Sequence, residues 1–244
     1  NVAVGTSALG ADTLGQLNVA IGFEALDAQN FTTATNSYNV AVGGAAGGAI
    51  TTGIENVIIG GLAGDALTDA DYNVAVGAGA LTADTLGTGS TAVGFQALFA
   101  QNFTTATTAY NTAVGYQAGK AITTGVSNVL IGGLAGDALT NADENVVVGV
   151  NALTSDTLGS HTVAIGKDAL AVQNFTTATD TFNVAVGFSA GVAVTTGTLN
   201  TFIGGNAGDG TDDGANNTAV GFGALRANCG NDNTAVGLGC IALC

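Results

Sequence analysis

The 244-residue chain contains no proline, methionine or tryptophan, a single histidine and three basic residues, Lys120, Lys167 and Arg226. Three cations cannot form the basic stripe that neutralises phosphates, so we expect no binding to nucleic acid or to anionic membranes. With His161 as the one histidine, little is available for acid–base catalysis, so we predict no enzymatic activity and no cofactor. No apolar run approaches the roughly 18 residues of a membrane helix, so we expect no membrane insertion of this segment.

Against these shortages stand 39 glycines and 18 acidic residues, which give a formal net charge of -15. Charged residues make up 9% of the chain and hydrophobic residues 47%, a composition unlike that of a disordered protein. The glycines follow no Gly-X-Y period, which excludes collagen, and the cysteines lack the paired spacing of a zinc site. The acidity favours a soluble extracellular protein. Because the chain shows no signal peptide and does not begin with Met, we expect a processed or excised piece of something longer.

A five-residue phrase, Asn-Val-Ala-Val-Gly or a close variant, recurs fourteen times and divides the chain into coils. We call its first residue position 1 and number coils 1–14 by their openings: Asn1, Asn18, Asn39, Asn56, Asn73, Ser90, Asn111, Asn128, Asn145, Thr162, Asn183, Asn200, Asn217 and Asn233. The spacings run 17, 21, 17 and 17 three times and then 16. We therefore predict one solenoid domain over 1–244, built of 72-residue blocks at 1–72, 73–144 and 145–216 with a partial block at 217–244.

The repeated columns predict the fold. Position 4 is Val or Ile and position 5 is Gly in every coil, and position 8 is Ala in thirteen of them. β-branched residues bracketed by glycine favour short strands and tight corners, and so much glycine disfavours a helix. Identical phrases at fixed spacing predict parallel, in-register stacking with one coil per repeat. We predict an all-β, parallel β-solenoid of about 14 coils of 17 residues.

The strand phrase is apolar on both of its faces. Positions 2 and 4 share one face, and position 3, which is also apolar, points to the other. A strand apolar on both faces is normally covered on both. One face can fill the interior of the solenoid, and the simplest cover for the other is a further copy of the chain. We therefore predict a symmetric homo-oligomer, a homotrimeric rod.

The asparagine column at position 1 has a structural interpretation. Stacked Asn side chains form amide ladders along parallel strands, and Ser90 and Thr162 can retain part of that bonding. The alternative is a ladder of ligand-binding amides.

The phrase Asn-Thr-Ala-Val-Gly-x-x-Ala-Leu at 217–225 resembles the head repeat of trimeric autotransporter adhesins and related repeats in tail-fibre-like proteins of viruses and bacteria. The resemblance covers essentially the whole chain, although the adhesin repeats are usually shorter. It implies a left-handed parallel β-roll with three chains to a rod. It also implies a location on a cell or virion surface and attachment to a protein or glycan of a host.

The three long coils each carry four extra residues in a segment Gln-Asn-Phe-Thr-Thr-Ala-Thr, at 29–35, 101–107 and 173–179. Insertions in a solenoid bulge outward on one face, which is often the binding face. Our candidates for surface binding are Phe31, Thr32, Thr33, Phe103, Thr104, Thr105, Phe175, Thr176 and Thr177. The alternative is a bulge whose Phe tucks back over the roll, with Tyr38, Tyr110 and Phe182 closing the corner.

Gly-Gly-x-Ala-Gly-Asp at 60–65, 132–137 and 204–209 is similar to the calcium nonapeptide of bacterial β-rolls. Copies 72 residues apart cannot converge several oxygens on one ion, so we predict tight turns with solvated aspartates and no metal site. The weak calcium candidate is Asp209 with Asp212 and Asp213. A catalytic triad of His161, Asp156 and Ser160 is disfavoured because the three crowd into one coil edge.

Cys229, Cys240 and Cys244 lie close together at the end of the sequence. An extracellular location permits one disulfide, between Cys229 and either Cys240 or Cys244, and the odd thiol could link chains. Cys240 stands at position 8, the alanine column, so the alternative there is a small buried hydrophobe.

Three functions fit these observations. The first is a non-enzymatic extracellular fibre or adhesin segment that attaches to a host surface through repeated weak contacts. The second is a structural subunit of a self-assembling extracellular filament. The third is an ice-binding solenoid, which requires a threonine ladder on every coil, whereas the Thr-Thr-Ala-Thr segment recurs on every fourth coil.

Overall fold

The computed structural model describes residues 1–240. The chain divides into two compact units, Asn1–Thr124 and the part from Gly125 onward, and the division falls inside the second 72-residue block. The described residues form strands and turns and contain no helix.

The first unit holds seven strands of three residues, one at the start of each coil. They are β1 (Val2–Val4), β3 (Val19–Ile21), β5 (Val40–Val42), β6 (Val57–Ile59), β7 (Val74–Val76), β9 (Thr91–Val93) and β11 (Thr112–Val114). They pair in that order, all parallel and in register, so that equivalent positions of successive coils are adjacent, as Val2 is to Val19. Two-residue strands form two further parallel pairs, β2 (Gly15–Gln16) with β4 (Thr35–Asn36) and β8 (Gly87–Thr88) with β10 (Thr107–Thr108).

The second unit has the same organisation. Its strands are β12 (Val129–Ile131), β13 (Val146–Val148), β15 (Val163–Ile165), β17 (Val184–Val186), β18 (Thr201–Ile203), β19 (Thr218–Val220) and β20 (Thr234–Val236). They pair parallel and in register in that order, and β14 (Gly159–Ser160) pairs with β16 (Thr179–Asp180). The prediction of an all-β, parallel β-solenoid of about 14 coils is therefore confirmed.

Glycine at position 5 is required by the close approach of successive coils. The fourteen glycines of this column have φ between 122° and 142°, a range that L side chains rarely adopt. A Cβ on Gly22 would also lie 2.3 Å from the carbonyl oxygen of Gly43 in the next coil. Both the dihedral and the space therefore exclude any other residue.

Three more corners per coil, at positions 7 and 9 and at the last position, adopt the left-handed α conformation. The non-glycine residues there have φ of 49–64°. Each such residue costs about 1–2 kcal/mol when isolated. Ladder hydrogen bonds to neighbouring coils hold them: the N–H of Leu26 donates to the carbonyl of Ala46 at 3.1 Å, and that of Tyr72 to the carbonyl of Ile54 at 3.1 Å.

The interior is filled from positions 3, 8, 9 and 12, and large and small residues compensate one another. Where position 3 is Ile58, position 9 is Gly64, and a Cβ on that glycine would lie 3.1 Å from Ile58 Cδ1. Where position 3 is Phe202, a Cβ on Gly208 would lie 2.6 Å from the ring. Of the two apolar strand faces, it is therefore position 3 that fills the core, while positions 2 and 4 point outward.

The asparagine column is structural, as predicted. The Oδ1 of Asn39 accepts a hydrogen bond from the backbone N–H of Asn56 at 2.9 Å, and the Oδ1 of Asn56 accepts one from that of Asn73 at 2.9 Å. Each side chain also reaches across its own coil, since Asn56 Nδ2 donates to the carbonyl of Ala70 at 2.8 Å. The asparagines that open coils 2–13 are buried, so these bonds satisfy groups that water cannot reach, with the Nδ2 of Asn18 as the exception.

Candidate functional site

The outward side of the strands carries a surface that we call the strand face, made of the side chains at positions 2, 4 and 6 of each coil. Position 2 is Val or Thr and position 4 is Val or Ile in all fourteen coils. Most of these side chains are half-buried, and the isoleucines at position 4 of coils 2, 4, 8 and 12 are 38–41% exposed. None of the 18 acidic residues stands at any of the three positions, and Lys167 is the one base that does. Apart from Lys167, the strand face is therefore an uncharged surface on a strongly acidic protein, with β-branched side chains at positions 2 and 4.

Aromatic rings stand out from the strand face at position 6. Five of them are 47–58% exposed: Phe23, Phe95, Tyr116, Phe188 and Phe222. In the first unit the rings of Phe95 and Tyr116 stack with their centroids 5.6 Å apart and their planes at 14°. In the second unit the ammonium of Lys167 lies 5.7 Å from the centroid of Phe188. Offset stacking and cation–π contact each stabilise such neighbours by about 1 kcal/mol.

A second row of rings follows the other edge of the strands, at the last position of several coils. Its members are 50–66% exposed: Tyr38, Tyr72, Tyr110 and Phe182. Tyr38, Tyr110 and Phe182, the residues expected to close the corner beside each bulge, stand at the corner that ends each long coil, with φ of 49–50°, and each is at least half exposed. The strand face is therefore flanked on both sides by exposed aromatic groups.

The bulges of the long coils separate into buried and exposed parts. Phe31, Phe103 and Phe175 are only 5–7% exposed, so the alternative in which each ring tucks back describes the structure. The N–H of Phe103 donates to Asp84 Oδ1 at 3.0 Å, and the same bond joins Phe175 to Asp156. The rings have little surface left to offer a partner. The candidate threonines beside them are all exposed: Thr32, Thr33, Thr104, Thr105, Thr176 and Thr177.

Beneath each bulge lies a buried polar network that sequence reasoning missed. Asp84, at position 12 of coil 5, accepts hydrogen bonds from the N–H groups of Gly87 and Phe103 and from Gln101 Nε2 at 2.6 Å. The Oε1 of Gln101 in turn accepts from Asn111 Nδ2 at 2.9 Å. Asp156 with Gln173 repeats the arrangement, and Asp12 with Gln29 repeats it in a half-buried form. The recurrence of Asp exactly 17 residues before the Gln of each bulge was the available signal.

The calcium candidate does not assemble. Asp209 pairs instead with Arg226, whose Nε lies 3.4 Å from the carboxylate. The N–H of Asp213 donates to Asp212 Oδ1 at 2.6 Å, and this bond is the main cause that lowers the pKa of Asp212. No group of three or more His, Cys, Asp or Glu side chains that could hold a metal occurs within residues 1–240.

The other aspartates of the Gly-Gly-x-Ala-Gly-Asp turns bind threonines of the following coil. Asp137 Oδ1 accepts a hydrogen bond from Thr154 Oγ1 at 2.6 Å, and Asp65 accepts one from Thr82. These carboxylates are thus partly buried and hydrogen-bonded. The expectation of solvated aspartates in these turns is wrong, because the next coil supplies a hydroxyl donor at the corner.

His161 does not form a triad with Asp156 and Ser160. Asp156 is buried in the polar network, and the Oγ of Ser160 accepts from the N–H of Asp143 at 3.0 Å. The imidazole lies instead between two exposed carboxylates, with Nε2 3.3 Å from Glu144 and Nδ1 3.1 Å from Asp180. The ring also stacks on Phe182 at 5.2 Å between centroids.

The cysteines are used in two ways. Cys229 is disulfide-bonded, whereas Cys240 carries a free thiol whose Sγ lies 3.2 Å from the carbonyl oxygen of Val236. The predicted alternative of a Cys229–Cys240 disulfide is therefore wrong. Cys244 lies outside the described residues.

The strand face and the bulges are open surfaces, and the described part of the chain contains no pocket. None of its segments forms a helix that is long and apolar enough to span a membrane. No family model, curated protein or solved structure matches the chain.

Proposed function

We propose that the chain is a non-enzymatic extracellular fibre or adhesin segment that assembles with copies of itself through the strand face and attaches to a host surface. The observation that carries the proposal is the exclusion of charge from positions 2 and 4 in all fourteen coils. A half-buried Val or Ile gains about 25 cal/mol for each Å² of apolar surface that a partner covers. Large uncharged faces of this kind are typical of interaction sites.

The overall charge explains why the partner would use this face. Two copies that each carry a formal charge of -15 repel one another wherever their acidic groups approach. The strand face is the broad surface on which the copies can meet without that repulsion. The resemblance to adhesin head repeats implies three copies around one axis, at a cell or virion surface.

Attachment itself is assigned to the exposed threonine pairs of the bulges. Three bulges repeat the same two hydroxyl-bearing side chains on a well-packed base, so several weak contacts to a glycan or protein can act together. The buried rings of Phe31, Phe103 and Phe175 shape the bulges from below.

Self-association is tested by sedimentation velocity with a charge placed on the strand face. Val93→Glu puts a carboxylate at position 4 of coil 6, and Thr52→Glu places one on an exposed site away from that face. We expect oligomers of the parent and of Thr52→Glu, and monomers of Val93→Glu that retain a β-sheet circular dichroism spectrum. A parent chain that is monomeric at millimolar concentration overturns the proposal.

Attachment is tested on an array of glycans and extracellular-matrix proteins. The six bulge threonines are replaced by alanine, and the control replaces Thr51, Thr52 and Thr124, which lie on other coils. We expect binding by the parent and the control, and loss of binding with the oligomer intact for the bulge variant. Oligomers that bind nothing on the array contradict the attachment role and favour a purely structural filament, which electron microscopy of the purified chain would show.

One observation favours ice binding as a second candidate. Position 13 is Thr or Asn in each of coils 1–11, a more regular ladder than the Thr-Thr-Ala-Thr segments provide. The hydroxyls already donate within the chain, as from Thr68 Oγ1 to the carbonyl of Thr85 at 3.1 Å, which leaves their methyl groups and lone pairs for water. Thermal hysteresis of the purified protein tests this candidate, and its absence at millimolar concentration excludes it.

A further inference from the structure

Three glycines on the strand face have no structural reason within the chain to be glycine: Gly44, Gly61 and Gly133, at position 6 of coils 3, 4 and 8, where a Cβ would meet no heavy atom within 4 Å. None has a φ in the left-handed range. Gly44 and Gly61 lie at adjacent levels. The same column accommodates Phe and Tyr elsewhere, so neither backbone nor packing inside the chain requires a gap here. We call these two adjacent levels the gap.

Two aromatic rings stand in the same column three levels further along. Phe95 and Tyr116 occupy position 6 of coils 6 and 7, stack on each other and project from the surface. We call this pair the knob. Ala78, at position 6 of coil 5, is the one level between gap and knob. The column therefore reads gap, gap, alanine, ring, ring.

This order becomes self-complementary when it is reversed. We propose that coils 3–7 of two copies pair antiparallel about a twofold axis at Ala78, so that the knob of each copy fills the gap of the other. Phe95 then lies opposite Gly61, and Tyr116 lies opposite Gly44, in both directions at once. Such reciprocity is the defining property of a twofold interface. The inference rests on the self-association part of the proposed function and replaces the three-chain arrangement at these coils.

A parallel arrangement would not use the pattern. When position 6 columns of parallel copies face one another, each level meets its own level, so glycine meets glycine and ring meets ring. The two glycine levels would then leave a void, and the void would forfeit the dispersion contacts that close packing supplies. Antiparallel pairing places a ring opposite each glycine, so it avoids both the void between glycines and the contact of ring with ring.

Charge and area are consistent with a second copy as the occupant. Positions 2, 4 and 6 of coils 3–7 hold no charged residue, so two acidic chains can approach here. Five coils at about 4.8 Å and five residues at about 3.3 Å give a surface of about 24 by 17 Å. That is about 400 Å² per copy, or about 800 Å² in total, which is below the range of stable specific interfaces, so the pair is a weak and transient dimer.

Cysteine cross-linking tests the direction of pairing. In a Cys240→Ser background, the double variant Gly44→Cys/Tyr116→Cys should form a covalent dimer on mild oxidation, and neither single variant should. The two sites are about 19 Å apart within one chain, so a disulfide between them can form only between chains. Cross-linking of Gly44→Cys alone indicates parallel chains and overturns the inference.

Exchanging knob and gap provides the second test, by sedimentation equilibrium. Gly61→Phe fills one gap level and Phe95→Gly removes one ring, and each should raise the dimer dissociation constant about tenfold or more. The double variant restores a ring opposite a glycine and should return within about threefold of the parent. Folding of all three is checked by circular dichroism. Additive losses without rescue overturn the pairing, whereas a parent that stays monomeric overturns the proposed self-association as well.

Discussion

The short coil 4 and the neighbouring pair of coils 5 and 6 show two ways to fill the same interior. At position 12, coil 4 presents Leu67, whereas coils 5 and 6 present Asp84 and Gln101, and all three side chains are fully buried. The polar side chains at position 12 occur where coil 6 carries its four extra residues. The bulge makes Phe103 N–H depart from the ordinary ladder, and Asp84 supplies the acceptor. A coil can thus lengthen when a side chain below it binds the backbone groups that the bulge displaces.

The largest effect should come from removing that acceptor. Asp84→Leu leaves Gly87 N–H and Phe103 N–H buried without an acceptor, and leaves Gln101 Nε2 with Ser90 Oγ, at 3.1 Å, as its remaining acceptor. We expect a loss of about 4 kcal/mol in the free energy of unfolding, measured by guanidinium denaturation. Asp84→Asn keeps an acceptor oxygen and should lose less than half as much. Equal losses for the two variants would show that one acceptor oxygen does not suffice and that both carboxylate oxygens are required, whereas a loss below about 1 kcal/mol for Asp84→Leu would contradict the role of the carboxylate as acceptor.

A somewhat smaller effect is expected when the ring over this network is cut back. Phe103→Ala removes a buried ring that also packs against Gly87, and we expect a loss of about 3 kcal/mol by the same method. The matched control, Thr104→Ala with Thr105→Ala, alters exposed side chains of the same bulge and should change stability by less than about 0.5 kcal/mol. A Phe103→Ala variant as stable as this control would show that the ring is not part of the core and is available for surface binding.

The three long coils also differ among themselves, and the difference predicts a stabilising change. They open with Asn18, Ser90 and Thr162, and only Asn18 leaves a buried atom, its Nδ2, without a hydrogen-bond partner in residues 1–240. Thr162 Oγ1 by contrast bonds Thr181 Oγ1 at 2.7 Å. Asn18→Thr removes the unpartnered Nδ2 but also removes Oδ1, which accepts from Ser37 Oγ and from the N–H of Asn39, both at 2.9 Å. The Ser37 hydroxyl can take over the second bond, as Thr181 Oγ1 does for the N–H of Asn183. The net effect should be a higher melting temperature, by the equivalent of about 1 kcal/mol.

The same substitution in a short coil provides the control for Asn18. Asn56→Thr removes the Nδ2 bond to the carbonyl of Ala70 and should lower the melting temperature. A fall for both variants would mean that Asn18 makes a compensating contact, for instance through a bound water.

The smallest effect concerns an aspartate at the rim of coil 4. Partial burial raises the pKa of Asp71, repulsion from Asp69 adds to this, and the hydrogen bond from Ile54 N–H at 2.8 Å opposes it. A raised pKa in the folded state means that the ionised carboxylate destabilises the protein, and that this cost disappears as the pH falls through the pKa. Asp71→Asn should therefore raise the melting temperature slightly at pH 7 and by less near pH 4. A constant difference at both pH values would refute the electrostatic origin.

The sequence predicts those structural features that depend on one repeated position alone. Valine and glycine at positions 4 and 5 specify strand and corner, and the asparagines at position 1 specify their own ladder. Sequence-based prediction fails for contacts that join two different repeated positions or two different residue types of successive coils. The link between Asp84 and Gln101 appears only once residues 17 apart are stacked, and burial of Phe103 follows from that link. Periodicity alone also leaves open which strand face points inward, and the packing of Ile58 against Gly64 shows that it is the face of position 3.

The glycines of position 5 also set how such a gene can change. Substitution at any of these codons places a side chain where the adjacent backbone already stands, as at Gly22 beneath Gly43, so this column has almost no mutational freedom. Copying a whole stretch of 72 codons, however, adds a complete set of mutually fitted levels and demands no new chemistry. The fold can therefore lengthen by duplication of whole blocks, whereas its corner glycines tolerate almost no substitution. The near-identical 72-residue blocks of this sequence fit that pattern.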